Sequence, residues 1–469
     1  MLRNVSAALA KLLPARVAYG VGEASNALTL LLFVLLARGL GVDRYGVFAA
    51  IVAASAILQA VAELGLHTLL TRTVARAPEA AWHELRGALA RQAALILPAP
   101  LLIYAYMQVA DIPAEAHLAG VLIGASVWFR ALKETVRGVC RGLGRFGLEA
   151  LFNWTERVGL LAAGFVVIAL GGSLTAVGVV FFCVRAVDFA VFLGAVRLQL
   201  RHPLPVERPR EATLLAALPF AVSNLMWSMY YQVDTALLSG LSTPRDTGIY
   251  GALYRFVDLV QVIPRLLIVV AFPVMAVDWL RNRDRFHRLY RSLRSVITCA
   301  ALPVLFVLAG WSAPIIRLVF GPAYVEGARA LSWIMLGNYF AFHSLLMVQA
   351  SQAAGRERAL AAGLTLTVAI NVVLNVLLIP RLGFRGAALA TAVTEVTYAS
   401  ILGWIAWRAG VTPGAPFGPL EVAGALVLAA VALGAEWLTT PAAGLLLVLA
   451  WLVIVVRLKP HRVLLGHPL

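Results

Sequence analysis

About fourteen apolar runs, each near 20 residues long, alternate along this chain with short polar joints. Roughly 20 helical residues at 1.5 Å each match the ~30 Å hydrocarbon core of a bilayer. Inside hydrocarbon every backbone N–H and C=O must be satisfied within its own segment, which for isolated runs leaves the α-helix. The pattern therefore predicts an all-α, polytopic membrane protein of about 14 transmembrane helices. Spans are expected near 17–37, 45–66, 88–109, 116–137, 148–170, 174–196, 212–240, 247–277, 295–313, 328–353, 359–380, 386–407, 420–437 and 441–457. Composition agrees: 61% of the 469 residues are hydrophobic and 13% are charged, more apolar surface than one soluble core hides.

Charge placement gives an orientation. With a cytoplasmic N-terminus, 27 of the 39 lysines and arginines fall on cytoplasmic joints, among them Lys133, Arg137, Arg141, Arg145 and the run Arg281, Arg283, Arg285, Arg288, Arg291 and Arg294. Seven fall on the opposite side, from Arg38 to Arg385. Five lie inside spans: Arg130, Arg157, Arg185, Arg255 and Arg265. This asymmetry over short loops obeys the positive-inside rule. It places both termini in the cytoplasm and the protein in the cell (inner) membrane. The net charge of +16 is spread over loops, so it reads as topogenic charge facing anionic phospholipids rather than as a nucleic-acid surface.

The chain repeats at an offset of about 205 residues. Gly46-Val47-Phe48 corresponds to Gly248-Ile249-Tyr250, Gly144-Arg145 to Gly355-Arg356, and Leu170-Gly171 to Leu382-Gly383. The repeat divides the chain into a six-helix lobe over 1–210, a second over 211–410, and two further helices with a cytoplasmic tail over 411–469. Six spans per half makes the halves parallel repeats about an axis along the membrane normal, two bundles around a central cleft suited to alternating access. Cys140, Cys183 and Cys299 form no disulfide or metal pattern. The first span ends on Arg38-Gly39 without a small-residue cleavage site and reads as a retained helix. No joint is long enough for a folded catalytic domain, and neither a P-loop nor an HExxH motif appears, so an enzyme is not expected and no cofactor is called for.

Several strings are specific when taken together. Gln352-Ala353-Ala354-Gly355-Arg356 precedes Asn371-Val372-Val373-Leu374-Asn375, then Gly383-Phe384-Arg385-Gly386 and Glu395. Leu40-Gly41 and Tyr45-Gly46-Val47-Phe48 follow the first span, Asp234 sits in the seventh, and Phe320-Gly321-Pro322-Ala323-Tyr324 precedes the tenth. Over residues 17–408 the chain resembles the polysaccharide-transporter (O-antigen flippase) branch of the multidrug/oligosaccharidyl-lipid/polysaccharide exporter superfamily. The resemblance implies a flippase. It would move undecaprenyl-diphosphate-linked oligosaccharide across the cytoplasmic membrane by alternating access, for O-antigen, lipopolysaccharide or exopolysaccharide assembly. It also implies company: other polysaccharide-assembly proteins, and a proton or sodium ion for coupling.

Such a cargo has an anionic, strongly polar head, which crosses hydrocarbon only through a wet cleft carrying cationic groups. Arginine suits a diphosphate because its planar fork bonds two oxygens at once. On a continuous eighth span Arg255, Asp258, Gln261 and Arg265 fall within a 120° arc at 100° per residue, and Pro264 interrupts that helix. Arg255 reads either as a diphosphate contact or as an i,i+3 pair with Asp258; Arg265 reads as a cleft residue. By resemblance the first and seventh spans line the same cleft, with Asn26 and Asn224 as polar contacts and Glu23, Asp234 and Asp258 as coupling-ion candidates. Glu63, near the end of the second span, reads as reaching the interface. Arg185 with Asp188 at i,i+3 and Arg130 with Glu134 read as structural pairs, and the adjacent Glu156 and Arg157, facing about 100° apart, read as structural charges with different partners. Asn371 and Asn375 read as knitting helices together.

Four other readings stand. A lipid II flippase shares the span number. A cation-coupled multidrug exporter shares the fold but wants an anionic cleft, whereas five arginines enter these spans. A membrane polysaccharide polymerase needs an acid–base cluster at one face. A scaffold for a glycan-assembly complex is compatible with transport.

Overall fold

A computed structural model of the protein describes residues 25–63, 65–200, 214–412 and 417–434. Among them there is no strand. Among the described residues, helix occupies most of each of thirteen of the fourteen expected spans; residues 17–24, 64, 212–213 and 435–437 and the last span, 441–457, lie outside the described residues.

The chain divides into two compact units, Met1–Gly248 and Ile249–Leu469. The first holds α1 (Asn26–Leu40), α2 (Val42–Glu63), α3 (Leu66–Arg76), α4 (Ala81–Ile96), α5 (Ala99–Val109), α6 (His117–Gly142), α7 (Phe146–Ala169), α8 (Leu174–Gln199) and α9 (Leu214–Leu241). Helix α10 (Pro244–Val260) begins at its end. The second unit continues with α11 (Val262–Arg281), α12 (Arg283–Gly310), α13 (Ser312–Val319), α14 (Ala328–Ala353), α15 (Glu357–Leu382), α16 (Phe384–Arg408) and α17 (Pro419–Ala432). Among the described residues eight helical stretches are long and apolar enough to cross a membrane. Helix α6 is not one of them, because Arg130, Lys133, Glu134, Arg137 and Arg141 interrupt its apolar run.

Two expected spans are broken. The third divides at Leu97-Pro98 into α4 and α5. The eighth divides at Gln261 into α10 and α11, one turn before Pro264. A proline ring collides with the carbonyl four residues back, here that of Val260, the last residue of α10. Pro273, by contrast, is carried inside α11.

With no hydrophobic drive between helices in lipid, polar side chains and small residues knit them together. In the first unit the buried Gln92 of α4 donates to the carbonyls of Ala62 (3.0 Å) and Ala131 (3.2 Å) and accepts from Thr135 (2.6 Å). Helix α9 is held to α2 by Ser228, which donates to the Ala56 carbonyl at 3.0 Å, and to α5 by the Tyr106 hydroxyl on the Ala236 carbonyl at 3.1 Å. The sequence repeat puts the division at 210; these bonds put α9 with the helices before it, so the compact units part at Gly248. In the second unit Tyr250 meets Thr391 at 2.8 Å and Ser332 donates to the Ala309 carbonyl at 2.9 Å. Helix α17 is tied in by Arg294, 3.1 Å from Glu421, and by Tyr339 on the Glu421 carbonyl at 2.9 Å.

Two of the glycines matched in the sequence end their helices alike. Gly144 after α6 and Gly355 after α14 both take left-handed backbone, at φ +67° and +70°. Each closes its helix in the same way: the next N–H, of Arg145 or Arg356, returns to the carbonyl five residues back, of Cys140 or Ser351, at 2.8 and 3.0 Å.

Candidate functional site

Helices α6, α7 and α8 bring a set of charges together inside apolar surroundings. Lys133, only 4% exposed, is the hub. Its ammonium lies 2.7 Å from Glu156 Oε2 and 2.5 Å from Asp188 Oδ2, and donates to the Phe152 carbonyl at 2.8 Å. Thr155 donates to the other Asp188 oxygen at 2.9 Å. Arg185 lies 3.4 Å from Glu156 Oε1, donates to Ser126 at 2.7 Å and stands 5.0 Å over the Phe181 ring. Two cations and two anions cancel, and each ion has a hydrogen-bond partner besides its counter-ion or shares one. A buried charge group survives only when closed in this manner.

One charge at this cluster is left over. Arg130 lies one turn before Lys133 on α6 and is exposed. Glu156 and Arg185 both lie within its electrostatic reach. Among the described residues it makes no ion pair, and Glu134, its expected partner, is engaged by Arg137. Arg130 also acts through space on Glu134 and Glu63, and its own side chain is exposed.

The remaining expected residues fall in several places. Arg185 pairs with Glu156 across helices, and Asp188 with Lys133, in place of the local i,i+3 pair. Arg157 donates to Ser25. Asn26 is half-buried in the first turn of α1, and Glu23 lies outside the described residues. Asn224 donates to Glu63 at 2.9 Å; Glu63 is buried rather than at an interface. Asp234 is buried at 3% exposure. In the second unit Arg255 lies 2.8 Å from Asp258, whose side chain is 45% exposed. Gln261 is buried and donates to Asn338 at 2.9 Å, and Arg265 is half-buried beyond the helix break. Gln261, between α10 and α11, keeps right-handed helical backbone at φ −63° and ψ −15°, and its N–H returns to the Val257 carbonyl at 3.0 Å. Asn375 donates to Asn371 in α15, and Asn371 to Thr394 of α16 at 3.4 Å.

Lys133 is what sequence reasoning missed, by counting it with loop charges. A signal was present: it falls within the span 116–137 and shares a face with Arg130, three residues before.

A family model described as "polysaccharide biosynthesis protein" matches residues 18–277, more than half of the chain. The chain belongs to this family. Among curated relatives, the probable low-salt glycan biosynthesis flippase Agl15 of Haloferax volcanii is 22% identical over 365 residues, 76% of this chain and 75% of that protein. The probable flippase AglR of the same organism is 29% identical over 190 residues, 39% of this chain and 38% of that one. Among solved structures, the lipid II flippase MurJ in an inward closed conformation superposes with a TM-score of 0.70 at 17% identity, covering 94% of this chain and 98% of that one. An inward-facing MATE-family multidrug resistance transporter superposes at 0.64 with 13% identity, covering 85% and 98%. This polysaccharide biosynthesis protein thus has the fold of the MurJ and MATE transporters and is a multi-pass membrane protein.

Proposed function

We propose that this protein is a flippase for a lipid-linked glycan, with Arg130 contacting the phosphate of the cargo head. The observation that carries the reading is the closed charge cluster with one exposed arginine at its edge. Lys133 and Arg185 neutralise Glu156 and Asp188, and the exposed Arg130 makes no ion pair among the described residues. In low-dielectric surroundings an unneutralised guanidinium attracts a dianionic group, and its fork offers two parallel hydrogen bonds. Membership in a polysaccharide biosynthesis family and the glycan flippase Agl15 among its relatives support a glycan cargo. A diphosphate on a polyprenol such as undecaprenol is the finer form of this proposal, for surface polysaccharide assembly. Arg255 and Arg265 remain candidates for the same role, with Asn26, Asn224 and Gln261 as polar contacts. Glu23, Asp234 and Asp258 remain candidates for a coupling proton or sodium ion. Both termini are proposed to be cytoplasmic, with the exposed Arg281, Arg283, Arg285, Arg288 and Arg291 against anionic phospholipid.

The test is glycan export in cells whose own copy is replaced by Arg130→Ala. One charge-assisted hydrogen-bond donor contributes about 1.5–3 kcal/mol, so export should fall about 10–100-fold with membrane abundance unchanged. Unchanged export from a normally abundant variant would remove Arg130 from the site.

A further inference from the structure

Glu63 differs from the other buried acids. Glu156 and Asp188 share Lys133, Glu149 is bound by Arg137 and Arg141 at 2.7 Å each, and Glu421 has Arg294. Glu63 is buried as deeply, yet its close partners are two neutral amides. Gln59 of the same helix donates to Oε1 at 2.5 Å and Asn224 of α9 to Oε2 at 2.9 Å. Among the described residues the one ionisable group within ion-pair range is His67 of α3, its Nδ1 4.0 Å from Oε2. From α6, Glu134 and Arg130 act on Glu63 through space with opposite sign, and Glu134 is itself occupied by Arg137. A carboxylate among apolar helices with no lysine or arginine in contact has little to hold its charge, and the neutral acid is the natural alternative.

Its position gives the charge a mechanical consequence. Glu63 is the last residue of α2, and Leu66 the first of α3. Between them Gly65 takes left-handed backbone at φ +65°, a turn that no other L side chain adopts as cheaply. Helix α3 is seated on α6 through Thr71, which donates to the Gly138 carbonyl at 3.0 Å. Glu63 and His67 flank the turn, and Asn224 ties the same carboxylate to α9. Ionised, Glu63 receives charge-assisted bonds from Asn224 and Gln59; neutral, it holds both amides less strongly.

We propose that Glu63 is a proton-binding site, and that binding the proton releases the joint between α2, α3 and α9 at Gly65. The site itself does not depend on the flippase reading; only its use as a coupling ion in transport rests on it. The test therefore needs no cargo. The full chain in lipid nanodiscs is titrated by infrared difference spectroscopy from about pH 8 to about pH 5. A protonated-carboxyl C=O band should appear in the wild type and be lost in Glu63→Gln. Deuterium uptake over 63–70 should rise on acidification in the wild type and stay flat in that variant. Asn224→Ala, which leaves the carboxyl in place, should shift the pH at which the band appears, and it reports even if Glu63→Gln does not fold. A band that persists in a folded Glu63→Gln, or one that Asn224→Ala leaves unmoved, overturns the proposal. Loss of glycan export with the band intact would instead bear on the flippase reading alone.

Discussion

At the scale of residues, the burial of an ion decides what its removal costs. Lys133 serves two acids in a site with almost no access to water. Lys133→Met should destabilise the protein by about 3–5 kcal/mol, because Glu156 and Asp188 are left buried and under-compensated. Thermal unfolding in detergent measures this, and adding Asp188→Asn should recover part of the loss, a coupling that a double-mutant cycle reads directly. Arg255→Ala should behave differently. Its partner Asp258 is 45% exposed, so the pair stabilises by less than about 1 kcal/mol. Melting should barely move, and a lower export rate in that variant would then report on function rather than folding. A large drop in stability for Arg255→Ala, or none for Lys133→Met, would reverse the assignment of the two clusters.

At the scale of elements, the helical turns at the repeat positions carry the clearest prediction. Gly355→Ala forces a side chain into left-handed backbone at φ +70° and should cost about 1 kcal/mol, with Gly144→Ala costing the same. A Gly355→Ala melting point equal to that of the wild type would show that α14 does not need this cap. The spans themselves were legible because a bilayer sets one length and one composition, and 20-residue apolar runs have few other uses. Breaks inside spans were less so. Pro264 marked a weak point; α10 ends at Val260, and the side chain of Gln261, between the two helices, donates to Asn338 on α14. The partners of membrane charges were legible only for Arg255, which lies 2.8 Å from Asp258 as the i,i+3 spacing offered. Spacing along one helix pairs Arg185 with Asp188 and Arg130 with Glu134; packing of α6, α7 and α8 gives Arg185 and Asp188 partners on other helices, while Glu134 pairs with Arg137 of its own helix and Arg130 makes no ion pair among the described residues. Sequence periodicity sees one helix at a time, and these choices are made between helices.

At the scale of the whole molecule, the repeat and the packing describe different things. The sequence matches suggest a doubling near 210; the packing shows which helices hold one another, and α9 goes with the first unit. The proposed orientation predicts that single cysteines introduced at Arg72 and Arg285, in a cysteine-free background, are labelled by membrane-impermeant reagents only from the cytoplasmic side. Labelling from outside intact cells would invert it. The central claim is translocation of a lipid-linked glycan with Arg130 on its phosphate. The most direct measurement places the purified full chain in proteoliposomes with a fluorescent polyprenyl-diphosphate oligosaccharide and follows the loss of its protection from an impermeant quencher. Lipid in the inner leaflet should become quenchable with the wild type, and about 10–100-fold more slowly with Arg130→Ala. A wild-type rate no faster than that of protein-free vesicles would contradict the account.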